Sequence, residues 1–153
     1  MLGTLAKFLF SFAVITISSS YATSQELIPL NNWLELPNDA KEPTYPLVRC
    51  AAYYQATTNY IGTNNMSKEA AKSSLQTQTL LIFTATQARA KKTGGAAQDY
   101  TEQVIGDMDR ISAMYAARMK NNYASSGQAF GKDTLHISDG QFCKWLTETL
   151  SKK

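Results

Sequence analysis

Residues 45–60 read YPLVRCAAYYQATTNY, a run in which one of only two cysteines lies among four tyrosines. Its spacing predicts a helix from about Pro46 to Ile61, because proline is tolerated in a first turn and Gly62 of the following GTNN supplies a stop. At about 100° per residue, Leu47, Cys50, Ala51, Tyr54, Thr58 and Ile61 share one face. That face is the core side, and it carries Cys50 inward. Arg49, Tyr53, Ala56 and Tyr60 form a second stripe turned away from it. Something must cover Tyr53 and Tyr60, or they are there to meet a partner.

Downstream the pattern stays helical and free of proline. A second helix is expected from Ser67, a good N-cap, to Lys92, ending before Thr93-Gly94-Gly95. Ala71, Leu75, Ile82 and Thr86 make its stripe, but TLLIF at 79–83 is apolar almost all round. A helix apolar on every side touches several neighbours, so this one is expected to be the most buried. A third helix, about Ala97 to Asn121, has a stripe of Tyr100, Val104, Met108, Ile111, Tyr115 and Met119, with Gly106 marking either a bend or a close approach. After a long connection over 122–137, SDGQ at 138–141 fits a capping box. The last helix is then expected from about Asp139 to Leu150, with Phe142, Cys143, Leu146 and Leu150 inward.

Cys50 and Cys143 thus both face the core, 93 positions apart. An even cysteine count in an exported chain favours a disulfide, and with one histidine, His136, the set cannot complete a Cys2His2 zinc site. The fold class follows: an all-α bundle of four helices, or three plus one short helix, clamped by one disulfide and covered by an irregular N-terminal strap. The strap is residues 23–45. It holds three of the four prolines, with the fourth at Pro46, and is too apolar, through Leu27, Ile28, Leu30, Trp33, Leu34 and Leu36, to be a disordered leader. One helical turn is expected near Trp33.

The expectation of export comes from the first 22 residues. Lys7 precedes an apolar run from Phe8 to Ile17, and Ser20-Tyr21-Ala22 is a small-x-small cleavage site. The run is about half the roughly 20 residues a spanning helix needs, so no stable membrane anchor is expected after cleavage. Without Lys7 the net charge falls from +3 to about +2. The bundle domain, 46–153, is too weakly and diffusely charged for a nucleic-acid footprint.

No catalytic pattern emerges. There is no Cys-x-x-Cys, no His-Glu-x-x-His, no Gly-x-Ser-x-Gly and no phosphate loop. No metal site or resident cofactor is expected. One flank of the third helix gathers Gln103, Asp107, Arg110, Met114 and Arg118, a possible polar site, although Asp107 and Arg110 at i,i+3 equally make a surface ion pair. Asn65-Met66-Ser67 matches a glycosylation sequon, a common tripeptide. Arg49, Tyr53, Tyr60 and Trp33 are the candidate contact surface for a protein, peptide or glycan, with the strap around Trp33 as the favoured cover for the two tyrosines.

The expected function is therefore that of a small exported, periplasmic or secreted, helical protein that binds or scaffolds. The alternative is a carrier of a small hydrophobic ligand or noncovalent haem within the bundle, with His136 and a core methionine (Met108, Met114 or Met119) as axial ligands. A hydrolase with an unrecognised site comes third.

Overall fold

The computed structural model describes residues 26–152; the expected leader at 1–22 and the first three strap residues lie outside them. Among the described residues the regular structure is helical, with no strand. Five helices follow in order: α1 (Leu30–Leu34), α2 (Tyr45–Ile61), α3 (Lys68–Thr93), α4 (Thr101–Ser126) and α5 (Thr134–Leu150), with 3-10 turns at Asn38–Ala40, Thr63–Asn65 and Ala97–Tyr100. None is long and apolar enough to cross a membrane. The architecture is the expected disulfide-clamped four-helix bundle, and α1 is the single turn around Trp33.

The central element is α2, not the expected second helix. Both α3 and α4 lie along α2, α5 packs on it from a third side, and α1 packs on α5. Ala51, Ala52 and Ala56 are buried on α2, and such small side chains let neighbours approach from several directions at once. Its polar-looking stripe is therefore interior as well: Arg49 is wholly buried. Conversely α3 buries only Leu81, Ala85, Thr86 and Ala90, while Leu75 and Phe83 are 65% and 61% exposed. The TLLIF segment is covered on one side only among the described residues.

Helix boundaries move where capping chemistry competes. Ser67 caps α3 as expected, its hydroxyl accepting from the Ala70 N–H at 3.1 Å. The last helix begins five residues earlier than SDGQ suggests, because Asp133 accepts from the Leu135 and His136 N–H groups at 3.1 and 3.4 Å. A carboxylate at a helix N-terminus gains from the helix dipole as well as from these bonds, which a serine does not. At the other side α4 continues to Ser126 and ends at Gly127, whose positive φ of 71° turns the chain. The long connection shrinks to Gly127–Asp133.

The Cys50–Cys143 disulfide joins α2 to α5 with a Cα–Cα distance of 5.2 Å. Because α5 starts at Thr134, Cys143 lies mid-helix rather than in an early turn. Gly140 makes the close approach possible: a Cβ there would stand 2.5 Å from the Tyr53 hydroxyl. Gly106, by contrast, faces open space, so it is not a close-approach point.

Candidate functional site

The densest chemistry lies inside the α1–α2–α4–α5 junction. The Arg49 guanidinium forms an ion pair with Asp139 Oδ2, and its Nε also donates to the Tyr115 hydroxyl at 2.9 Å, while Nη1 donates to the Tyr45 hydroxyl at 3.2 Å. The Tyr115 hydroxyl in turn donates to Asp139 Oδ2. The remaining carboxylate oxygen, Oδ1, accepts from the Leu30 N–H of α1 at 2.7 Å. Arg49 and Asp139 are each fully enclosed.

Such a group of charges survives burial because every donor direction that matters is met. Burial works against the Arg49 charge, but Tyr115 and Asp139 outweigh it and raise its pKa, so the guanidinium stays protonated. Burial likewise pushes the Tyr115 phenol well above its usual range. Enclosed and bonded to one another, Arg49, Asp139 and Tyr115 present no acid, base or nucleophile to solvent. It is a latch holding α1 to α5 and α5 to α2.

This corrects the outward placement of Arg49. The expected contact set of Arg49, Tyr53, Tyr60 and Trp33 does not form one surface. Trp33 stacks on Tyr45 with ring centroids 5.1 Å apart, so the strap covers Tyr45 rather than the other two tyrosines. Tyr53 is half-buried against Tyr115 and His136, and desolvation raises its pKa to about 12. Tyr60 meets Phe130 of the α4–α5 connection edge-on at 5.4 Å and stays partly exposed. The cover expected from the strap is supplied by α5 and by Phe130.

His136 is the centre of that second cluster. Its ring lies 4.6 Å from Tyr53 and 4.7 Å from Phe130, with Tyr115 edge-on at 6.4 Å. Desolvation lowers its pKa, while Asp133 and Asp139 act in the opposite sense. Met108 and Met119 are core residues of α4.

The polar flank of α4 divides in two. Asp107 bridges Arg110 and Arg89, accepting from each at 2.8 Å, and Arg89 reaches on to Thr44 at 3.1 Å, tying the strap's end to α3 and α4. Arg118 instead grips Asp133 with two bonds of 2.6 and 2.7 Å, joined by Asn122 at 2.7 Å. Burial raises the Asp133 pKa, but the bonds from Arg118 and Asn122 outweigh it and hold the value below the usual carboxylate range. Gln103 is exposed on α4. The two groups stay apart: Asp107, Arg110 and Arg89 pair with one another, while Arg118, Asn122 and Asp133 line a small polar depression with Gln128 and Lys132. Among the described residues no three of His, Cys, Asp and Glu come together as a metal-binding group would.

Several large apolar side chains are open to solvent, Tyr123 of α4 and Trp145 of α5 among them, and a contiguous run of them forms a ridge on α3. Leu75, Thr79 and Phe83 follow at i, i+4 and i+8, with Gln76 and Leu80 beside them, and the whole stretch Ser73–Ala88 carries no charge. The Thr79 hydroxyl donates to the Leu75 carbonyl at 2.9 Å and that of Thr84 to the Leu80 carbonyl at 2.8 Å. Its hydroxyl satisfied within the helix, Thr79 adds methyl surface to the ridge. This is the feature that the sequence pattern misassigned to the interior, since an all-round apolar segment does not say which side finds a neighbour.

Comparison of the chain with protein-family models, with curated proteins and with solved structures gave no significant match, so its function has to be argued from its own surfaces.

Proposed function

We propose that this is an exported protein of the periplasm or extracellular space that acts by binding or scaffolding, with the exposed ridge of α3 as its contact surface. The observation that carries the reading is the contrast between two sides of the bundle. On one side the charged and aromatic groups satisfy each other, and Arg49 and Asp139 are sealed. On the other, the uncharged middle of α3 leaves Leu75 and Phe83 mostly in water. Large apolar side chains held in water on a rigid helix mark an interaction site more readily than a catalytic one. Export is supported by the leader pattern and by the buried disulfide, which suits an oxidising compartment.

The test is fractionation of source cells expressing the wild type or the variant Leu75→Glu/Phe83→Glu. The wild type should co-fractionate with a larger envelope component and the variant should not. Identical fractionation of the two would refute the assignment of the surface. Turnover in a hydrolase panel that disappears with His136→Ala or Asp107→Asn would refute the binding role itself.

A further inference from the structure

The ends of the exposed α3 ridge say what it docks on. Lys68 and Lys72 continue the ridge toward its N-terminus, and Lys91 follows Phe83 and Gln87 along the exposed side toward its C-terminus, with Glu69 the one acidic residue in the helix. None of these lysines is in an ion pair among the described residues, where each cation in a salt bridge is an arginine. The ridge is therefore a neutral, apolar centre between two cationic ends, roughly 28 Å from Lys72 to Lys91 at the helical rise.

We infer that this ridge lies on an anionic lipid surface, a reversible peripheral contact that rests on the reading of α3 as the binding surface. Three observations select lipid. Two copies of α3 paired in either direction would bring lysines against lysines, so the charge pattern opposes a second copy and complements lipid phosphates. The apolar patch is shallow, open to solvent and carried by one helix, so it can lie against a lipid interface without needing a matched groove. The hydroxyl of its threonine, Thr79, is already bonded to a helix carbonyl, as a surface facing hydrocarbon requires. In the bound geometry Leu75, Leu80 and Phe83 enter the acyl boundary while the lysines reach back to the headgroups.

The experiment is flotation of the natively disulfide-bonded chain with vesicles of phosphatidylcholine alone or mixed with phosphatidylglycerol. Wild type and variants are compared in the same processed form, so that the leading apolar run contributes equally to all. The wild type should float with the anionic vesicles. Leu75→Gln/Phe83→Gln should reduce binding about 100-fold, from the lost burial of two large side chains. Lys72→Gln/Lys91→Gln should reduce it by about fivefold per lysine, and ~1 M salt, with a screening length of about 3 Å, should remove the difference between lysine variant and wild type. Unchanged far-ultraviolet circular dichroism and an intact disulfide establish that the surface variants are folded.

The inference is overturned if the wild type does not float, if it binds uncharged vesicles equally well, or if the Leu75/Phe83 variant floats like the wild type. A wild-type dimer in sedimentation that the same variant abolishes, without vesicle binding, would assign the ridge to a second copy instead. Failure on vesicles while fractionation in cells still depends on Leu75 and Phe83 removes the lipid inference and leaves the binding reading standing. Failure in both removes both.

Discussion

Replacing Asp139 by asparagine should be among the most damaging single changes in the bundle. The amide keeps the shape and leaves Oδ1 available to the Leu30 N–H, now bonded at 2.7 Å. It removes the charge that faces Arg49, both groups being fully buried. An arginine stranded in that setting costs about 3–5 kcal/mol, about a fifth or more of the roughly 5–15 kcal/mol that holds a domain together. The cost comes from the uncompensated guanidinium rather than from a strong attraction lost. Taking away the guanidinium too, as Arg49→Met/Asp139→Asn, should therefore restore most of it, leaving a deficit of about 1–2 kcal/mol from packing and from the Tyr45 and Tyr115 hydroxyls. Urea unfolding followed by circular dichroism, with the disulfide intact, gives the four corners of this cycle. The reasoning is refuted if Asp139→Asn costs less than about 1 kcal/mol, or if the double variant is no more stable than Asp139→Asn alone.

Four further outcomes follow from the same geometry. Cys50→Ala/Cys143→Ala should lower stability by about 4–5 kcal/mol, the loop-closure value for a separation of 93 residues, and peptide mapping without reductant should recover Cys50 bonded to Cys143. Gly140→Ala should cost about 1–3 kcal/mol because its methyl meets the Tyr53 ring, whereas Gly106→Ala, facing open space, should gain up to about 1 kcal/mol; thermal melts separate the two signs. The lowered His136 pKa means that the unfolded chain takes up a proton which the fold refuses as pH falls below 6.5, so stability declines over that interval and His136→Gln should flatten the decline. Asp133 works at lower pH: its folded pKa is depressed below 3.8, so its contribution is complete above that value and lost as pH falls through the folded one, and Asp133→Asn should shrink the acid loss measured by unfolding at successive pH values.

Much of this fold was legible in the residues. The α4 stripe of Val104, Met108, Ile111, Tyr115 and Met119 is buried as its spacing implies, and the inward turn of Cys50 and Cys143 yields the disulfide. The errors have one physical origin, that helical periodicity separates faces by polarity but does not say how many faces find neighbours. A helix with three alanines near its middle admits partners on three sides, so α2 took the centre and its arginine became interior. Asp139 hid the true start of α5 for the same reason, since a charged residue at a core position interrupts the apolar run between Leu135 and Phe142. A usable signal was present nonetheless. Arg49 adjoins Cys50 and Asp139 lies one turn before Cys143, so the disulfide, once accepted, places opposite charges side by side. The α3 ridge had no comparable signal, because TLLIF reads the same whether covered or bare.

The disulfide and the Arg49–Asp139 pair tie the same two helices at adjacent turns, one covalently and one by charge. Tyr115 and the Leu30 N–H extend that tie to α4 and the strap, so four of the five helices share one junction. The fifth, α3, takes no part in it and is held by packing on α2 and α4, by a 2.6 Å hydroxyl contact between Thr58 and Ser74, and by Arg89 on Asp107. The polar contacts among these are individually weak and, at the surface, screened by salt, so the packing on α2 carries most of the attachment. The molecule is consequently asymmetric in chemistry: the Arg49–Asp139 junction is sealed, and the contiguous apolar run of Leu75, Leu80 and Phe83 lies on the helix outside it. A change at Leu75 or Phe83 should therefore alter binding with little effect on unfolding, and a change at Asp139 should alter unfolding while leaving the α3 surface of the molecules still folded as it was.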